Sequence, residues 1–159
     1  MVARIAEQWA RERPDLDASP LLVGGRVLRV AHLLDGALRP PFVEVGLGNG
    51  DFDVLTALRR AGAPYALRPG ELSLQMLVTT GAVTKRVDRL ERQGYVDRRG
   101  TEEDGRGKVV RLTDVGLEVV DRLIAVHLAN LDSLLGALDG AERRALGGLL
   151  GRLALSLEA

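Results

Sequence analysis

The sequence predicts a mainly helical chain with one small β-hairpin, an α+β fold with long apolar helices at its ends. Three observations predict it. Apolar residues recur at helical spacing over most of the chain. Strand character is confined to "YVDR" and "KVVRLT", which are joined by a loop containing the turn pair Asp104-Gly105. The end helices carry apolar stripes that this compact middle segment has no surface to cover.

The 159 residues are 46% apolar but only 3% aromatic, so the core is built from Leu, Val and Ala. With no cysteine, disulfides, thiolate metal sites and thiol nucleophiles are excluded. His32 and His127 sit alone on helical patterns, where a metal site needs a cluster, so both are expected to be ordinary packing or surface residues. No metal or cofactor is expected. There is no glycine-rich phosphate loop and no Ser-His-Asp set, and an enzyme is not expected. No run of 18 apolar residues appears and the N-terminus is charged throughout, so the expectation is a cytoplasmic protein with no membrane partner.

Net charge is zero, but its distribution is uneven. Residues 79–112 hold nine Lys/Arg against six Asp/Glu, while the remainder holds thirteen against sixteen. A local basic excess suits one surface that meets phosphates.

The elements follow in order. Residues 2–12 read as a helix ended before Pro14, and "RERPDLDASP" as a linker. Ser19-Pro20 gives a cap and an N1 proline for a helix reaching Leu38, before Pro40-Pro41. "GLGNG" is a loop, and Asn49 or Asp51 caps a helix that stops at Gly62. Pro69 opens a short helix, and after a Thr-Thr-Gly corner a helix runs from about Ala82 to Gln93, closed by Gly94. The hairpin follows. Thr113 caps a helix to about Leu138, and Asp139 with Glu142 makes a capping-box start for the last one.

A short helix, a corner, a longer helix and a hairpin describe a winged helix-turn-helix. On a wheel of about 100° per residue, Val83, Val87 and Leu90 share a narrow arc, the buried seam. Gly81, Lys85, Asp88, Arg89 and Arg92 project roughly opposite, Thr80 and Thr84 lie on one flank, and Arg86 lies on the other, towards the helical body. Small residues and threonines at the helix start, with basic residues behind them, suit a helix in a major groove, and Arg106 at the hairpin tip suits the adjacent minor groove.

Residues 69–116 resemble the DNA-binding lobe of the MarR (multiple antibiotic resistance regulator) family. The resemblance is carried by Gly81-Ala82-Val83-Thr84, Asp88-Arg89-Leu90, Gly94-Tyr95-Val96, Arg98, Asp104-x-Arg106 and Leu112-Thr113-x-x-Gly116. It implies a homodimeric transcription regulator, most often a repressor released by a small ligand, on a pseudo-palindromic operator in double-stranded DNA. It implies DNA contacts from Thr79, Thr80, Gly81, Thr84, Lys85, Arg89 and Arg106, with Asp104 bracing Arg98. The expected organisation is one domain over residues 1–159. Residues 1–18 are an added helix and linker, 19–48 and 113–159 are dimerisation helices, and 49–112 are the winged lobe.

A narrower resemblance begins at "RIAEQWARERPDLD", which is similar to the added N-terminal helix of the urate-responsive HucR, PecS and MftR type. That branch implies a ligand set of Trp9, Asp53, Arg86 and Arg98. The stretch before the aspartate reads "GNGDFD" here, so Asp51 competes with Asp53, and Asp53 is favoured. The chemistry is coherent. Urate is flat and anionic, Trp9 offers a face for stacking, and Arg86 offers a planar cation that Asp53 would hold in the absence of ligand. The alternatives are a regulator of the same family answering a phenolic or other aromatic carboxylate and, further off, a winged-helix protein-interaction module.

Overall fold

The computed structural model describes residues 1–48, 50–76, 79–100 and 108–158. The chain forms two compact units, Met1–Pro40 and Pro41–Ala159.

The first unit is a pair of helices, α1 (Val2–Glu12) and α2 (Pro20–Leu38). They meet closely at Gly25, where a β-carbon would lie 3.0 Å from Val2 Cγ1. Pro20 starts α2 as its N1 residue, but Ser19 makes no side-chain cap. Its hydroxyl instead donates to Asp17 at 2.8 Å, and its backbone N–H donates to the same carboxylate at 2.9 Å. Ser19 itself has helical backbone angles, φ −60° and ψ −34°, where a capping residue is extended.

The second unit runs α3 (Pro40–Glu44), α4 (Asp51–Arg60), β1 (Ala66–Leu67), α5 (Pro69–Met76), α6 (Thr80–Arg92), β2 (Val96–Gly100), β3 (Lys108–Leu112), α7 (Asp114–Leu134) and α8 (Gly140–Glu158). The expected strands pair antiparallel with Val96 opposite Leu112, and β1 adds a third strand on the other side of β3, giving the order β1-β3-β2. Two residues are too few to show a strand period, which is why β1 is invisible in the sequence.

Val83, Val87 and Leu90 are each at most 1% exposed, so the α6 seam is where the helical period placed it. They pack with Leu55 and Leu58 of α4 and Leu72 of α5. Phe42 and Phe52 stack at 4.5 Å between centroids, with His127 of α7 tilted against both rings.

Three caps fix the ends of the helices that matter. Thr79 accepts the Ala82 N–H at 3.3 Å, which starts α6 two residues before the expected Ala82. Thr113 accepts the Gly116 N–H at 3.0 Å and donates to the Gly94 carbonyl at 2.7 Å, tying α7 to the end of α6. Gly116 itself lies so close to the Tyr95 carbonyl that a β-carbon there would overlap it. Asp139 and Glu142 form the reciprocal capping box of α8, with bonds of 2.8 and 2.9 Å. Helix α7 ends at Leu134, and Leu135 to Leu138 make a turn in place of the expected last helical turn.

The end helices are left uncovered. Neither α2 nor α8 has a buried residue, and Leu146, Leu149, Leu150, Leu153, Leu155 and Leu157 of α8 are all exposed.

Candidate nucleic-acid interface and ligand site

Helix α6 presents three different surfaces, and each has a distinct chemistry. The seam of Val83, Val87 and Leu90 is sealed into the core. The outer surface begins with Thr79, whose hydroxyl serves as the cap, and continues through Gly81, Thr84 and Lys85, all exposed. A β-carbon at Gly81 would have no neighbour within 4 Å among the described residues. The Thr80 side chain, Asp104 and Arg106 lie outside the described residues.

The third surface faces the loop that leads into α4. Arg86, Arg89 and Gln93 fall within about 60° of one another on this flank. Gln93 Nε2 donates to the Gly46 carbonyl at 2.7 Å, and Tyr95 Oη, just past the helix, donates to the Val45 carbonyl at 3.0 Å. The Arg89 guanidinium forms a two-pronged ion pair with Asp51, Nε donating to Oδ2 at 2.5 Å and Nη2 donating to Oδ1. Asp51 is fully buried and also accepts the Gly48 N–H at 2.7 Å. Its carboxylate raises the Arg89 pKa above the ordinary arginine value, against a smaller opposing effect of burial. Stability from a raised cation is present below the unfolded-state pKa and lost only as pH rises through the folded one, so Arg89 stays charged across the physiological range.

Arg86 is half-buried, and its guanidinium lies in the space that a β-carbon on Gly50 would fill. Gly50 has φ of 75°, a left-handed conformation that glycine adopts without strain. Among the described residues Arg86 has no acid partner. The expected Asp53–Arg86 pair is not formed. Asp53 is exposed, and its carboxylate has no ion pair among the described residues. The reason is phase: Asp51 and Asp53 are about 200° apart around α4, so only one can face α6. Asp51 is also the first residue of α4 and not its cap; that position belongs to Gly50.

Arg98, on β2, reaches back to α6 and pairs with Asp88 and with Glu91, the latter at 2.5 Å. Beside it, a cavity of about 390 Å³ opens between α5, α6 and the strands. Val87 and Val110 form part of its apolar lining, and Thr84, Asp88, Arg98 and Lys108 are its polar groups. Trp9 belongs to the first unit, where it is 53% exposed. So the structure groups Arg86 with the Gly50 loop and Arg98 with α6, and it sets Asp53 on the solvent side of α4.

A profile of the MarR family matches residues 45–107. The regulator PecS of Dickeya dadantii (strain 3937), described as an HTH-type transcriptional regulator, is 39% identical over 152 residues, which cover 96% of this chain and 92% of that one. The chain belongs to the MarR family. Among solved structures, the MarR family regulator Sco3205 of Streptomyces coelicolor, in complex with DNA, aligns with a TM-score of 0.79 at 27% identity, covering 91% of each chain. A MarR variant from Escherichia coli complexed with operator DNA aligns at 0.73 and 25% identity, covering 91% of this chain and 96% of that one. The protein is accordingly a DNA-binding transcription regulator of the MarR family with a winged helix-turn-helix. No helix among the described residues is long and apolar enough to cross a membrane.

Two features of this MarR site were missed by sequence reasoning. The role of Gly48 and Gly50 as the floor beneath two arginines has only the weak signal of a glycine-rich loop. The Asp51–Arg89 pair has none, because the partners are 38 positions apart.

Proposed function

We propose that this MarR family member is a homodimeric repressor in the cytoplasm whose operator binding is relieved by urate or a related purine anion. The observation that carries the ligand reading is Arg86, a half-buried planar cation on the body side of the reading helix, without an acid partner among the described residues. An anion with a flat hydrogen-bonding edge satisfies such a guanidinium in two places at once. The resemblance supplies the rest of the ligand set, Trp9, Asp53 and Arg98, with Trp9 offering a face to stack on. A ligand that favours one orientation of α6 needs only about 1–3 kcal/mol of coupling to shift DNA affinity 5- to 150-fold.

DNA contacts are assigned to the outer surface of α6, to Thr79, Thr80, Gly81, Thr84 and Lys85, with Arg106 in the adjacent minor groove. The exposed leucines of α8, with those of α7, are assigned to a second copy of the chain. A contiguous exposed apolar stripe of this kind marks an interaction surface. Two-fold symmetry then requires a pseudo-palindromic operator with half-sites about 34–36 Å apart.

A second reading has its own support. The 390 Å³ cavity beside Arg98 is of a size for a small aromatic ligand, with Thr84 and Lys108 to meet a carboxylate. The experiment that separates the two is titration of the operator complex with urate and with a phenolic carboxylate. Release by urate, lost in Arg86→Ala, supports the first. Release by the phenolic acid alone, lost in Lys108→Ala, supports the second.

A further inference from the structure

We propose that Arg89 is a positioning residue of the reading helix, acting through a buried lock on Asp51, and not one of its DNA contacts. The inference rests on the assignment of α6 as the DNA-facing helix.

Asp51 has no access to solvent, and its two carboxylate oxygens are taken by the Arg89 fork and by the Gly48 N–H. For Arg89 to reach a phosphate it would have to leave that carboxylate buried without its cation, which is a strongly disfavoured state. The geometry holds it as well. The guanidinium rests against Gly48, where a β-carbon would stand 2.8 Å from Cζ. A two-pronged guanidinium–carboxylate pair fixes direction as well as distance, which a point charge does not.

The lock does not act alone on that flank. Gln93 is bonded to Gly46 and Tyr95 to Val45, so α6 and the residue just beyond its end are pinned to Val45, Gly46 and Asp51. Asp51 is the first residue of α4. The last turn of α6 is therefore referenced to the first turn of α4, and the residue that sets the reference through a buried partner is Arg89. Lys85, one turn earlier and about 40° from Arg89 around the helix, is exposed and has no acid partner among the described residues, so its ammonium can meet a phosphate.

The test is the salt dependence of operator binding by the full-length protein. Parent, Lys85→Ala, Asp51→Asn, Arg89→Lys and Arg89→Gln are compared, with thermal unfolding to establish that each variant is folded. A lost phosphate contact flattens the slope of log affinity against log salt by about one. Lys85→Ala should do so; if it does not, the assignment of the DNA face fails whatever Arg89 does. Asp51→Asn and Arg89→Lys should each weaken operator binding about 5- to 150-fold at the parent's slope, because they disturb the helix and remove no phosphate contact. The lysine variant is the decisive one, since it keeps the charge a phosphate needs but not the fork that Asp51 needs. If Arg89→Lys binds like the parent while Arg89→Gln flattens the slope, Arg89 touches the backbone of DNA and the proposal is overturned. It is equally overturned if folded Asp51→Asn binds the operator with the parent's affinity.

Discussion

The Arg86 guanidinium occupies the space beside the Gly50 α-carbon that any larger residue would claim. The two are 36 positions apart in sequence, yet one decides where the other can sit. Gly50→Ala therefore has two effects. It places a β-carbon on a left-handed residue, at a cost of about 1–2 kcal/mol, and it pushes the guanidinium off the loop. Denaturant unfolding should show the first. Calorimetric titration with urate should show weakened binding from the second, and unchanged urate affinity would remove Arg86 from the ligand set.

Gly116→Ala should cost about 1–3 kcal/mol, because the added methyl overlaps the Tyr95 carbonyl, and a backbone atom cannot turn aside. By contrast Gly81→Ala meets open space and should leave the melting temperature near the parent's. The pair, measured by thermal unfolding, separates a glycine needed for packing from one that faces a partner.

The uncovered leucines of α8 predict a dimer at micromolar concentration in sedimentation equilibrium. Leu149→Glu together with Leu153→Glu should dissociate it, since each introduces a charge into an apolar contact. A stable folded monomer of the parent would sink the dimer assignment.

Lys85→Ala and Arg106→Ala should weaken operator binding without changing the fold, with phosphate contacts affecting every sequence alike. A residue that reads a base costs about 1–3 kcal/mol at one operator position only. Mobility shifts on operator and random duplexes distinguish these outcomes. If both variants bind like the parent, the outer surface of α6 has been misassigned.

Trp9 is the single tryptophan, so if it stacks on the proposed ligand its emission follows binding without interference from another indole. Urate should quench it and release the operator, and Arg86→Ala should keep most of the DNA affinity while losing the response. Since Asp53 does not hold Arg86, Asp53→Asn should leave DNA binding near the parent and weaken urate instead. Quenching by a phenolic carboxylate but not by urate would reassign the ligand and leave the family intact.

The seam of α6, the hairpin strands and the caps at Thr113 and Asp139 were legible in the sequence, because period and local chemistry fix them within a few residues, whereas Thr79, the cap of α6, reads there as part of a corner. The polar flank of α6 was not. Asp51 and Asp53 are two acids in one helical turn, and which faces α6 depends on the backbone phase that Gly50 sets with its positive φ. Arg89 reads as outward on a wheel, yet it sits on the edge of the loop-facing flank, and a long side chain bends towards a buried carboxylate. The strand β1 and the early end of α7 were hidden for a different cause. Two residues carry no period, and the Leu-rich stretch after Leu134 reads the same in a turn as in a helix.

Tyr95 and its neighbours join three elements at a single point. Its carbonyl accepts the Thr113 N–H at the root of α7, its hydroxyl holds Val45 ahead of α4, and its own N–H closes α6 on Leu90. If α7 carries the proposed dimer contact, these bonds tie each reading helix to that contact, and the two heads keep a set stride. Such a caliper tolerates substitutions within a half-site better than a change in the gap between half-sites, so adding one or two base pairs at the operator's centre should harm binding more than a mismatch in either arm.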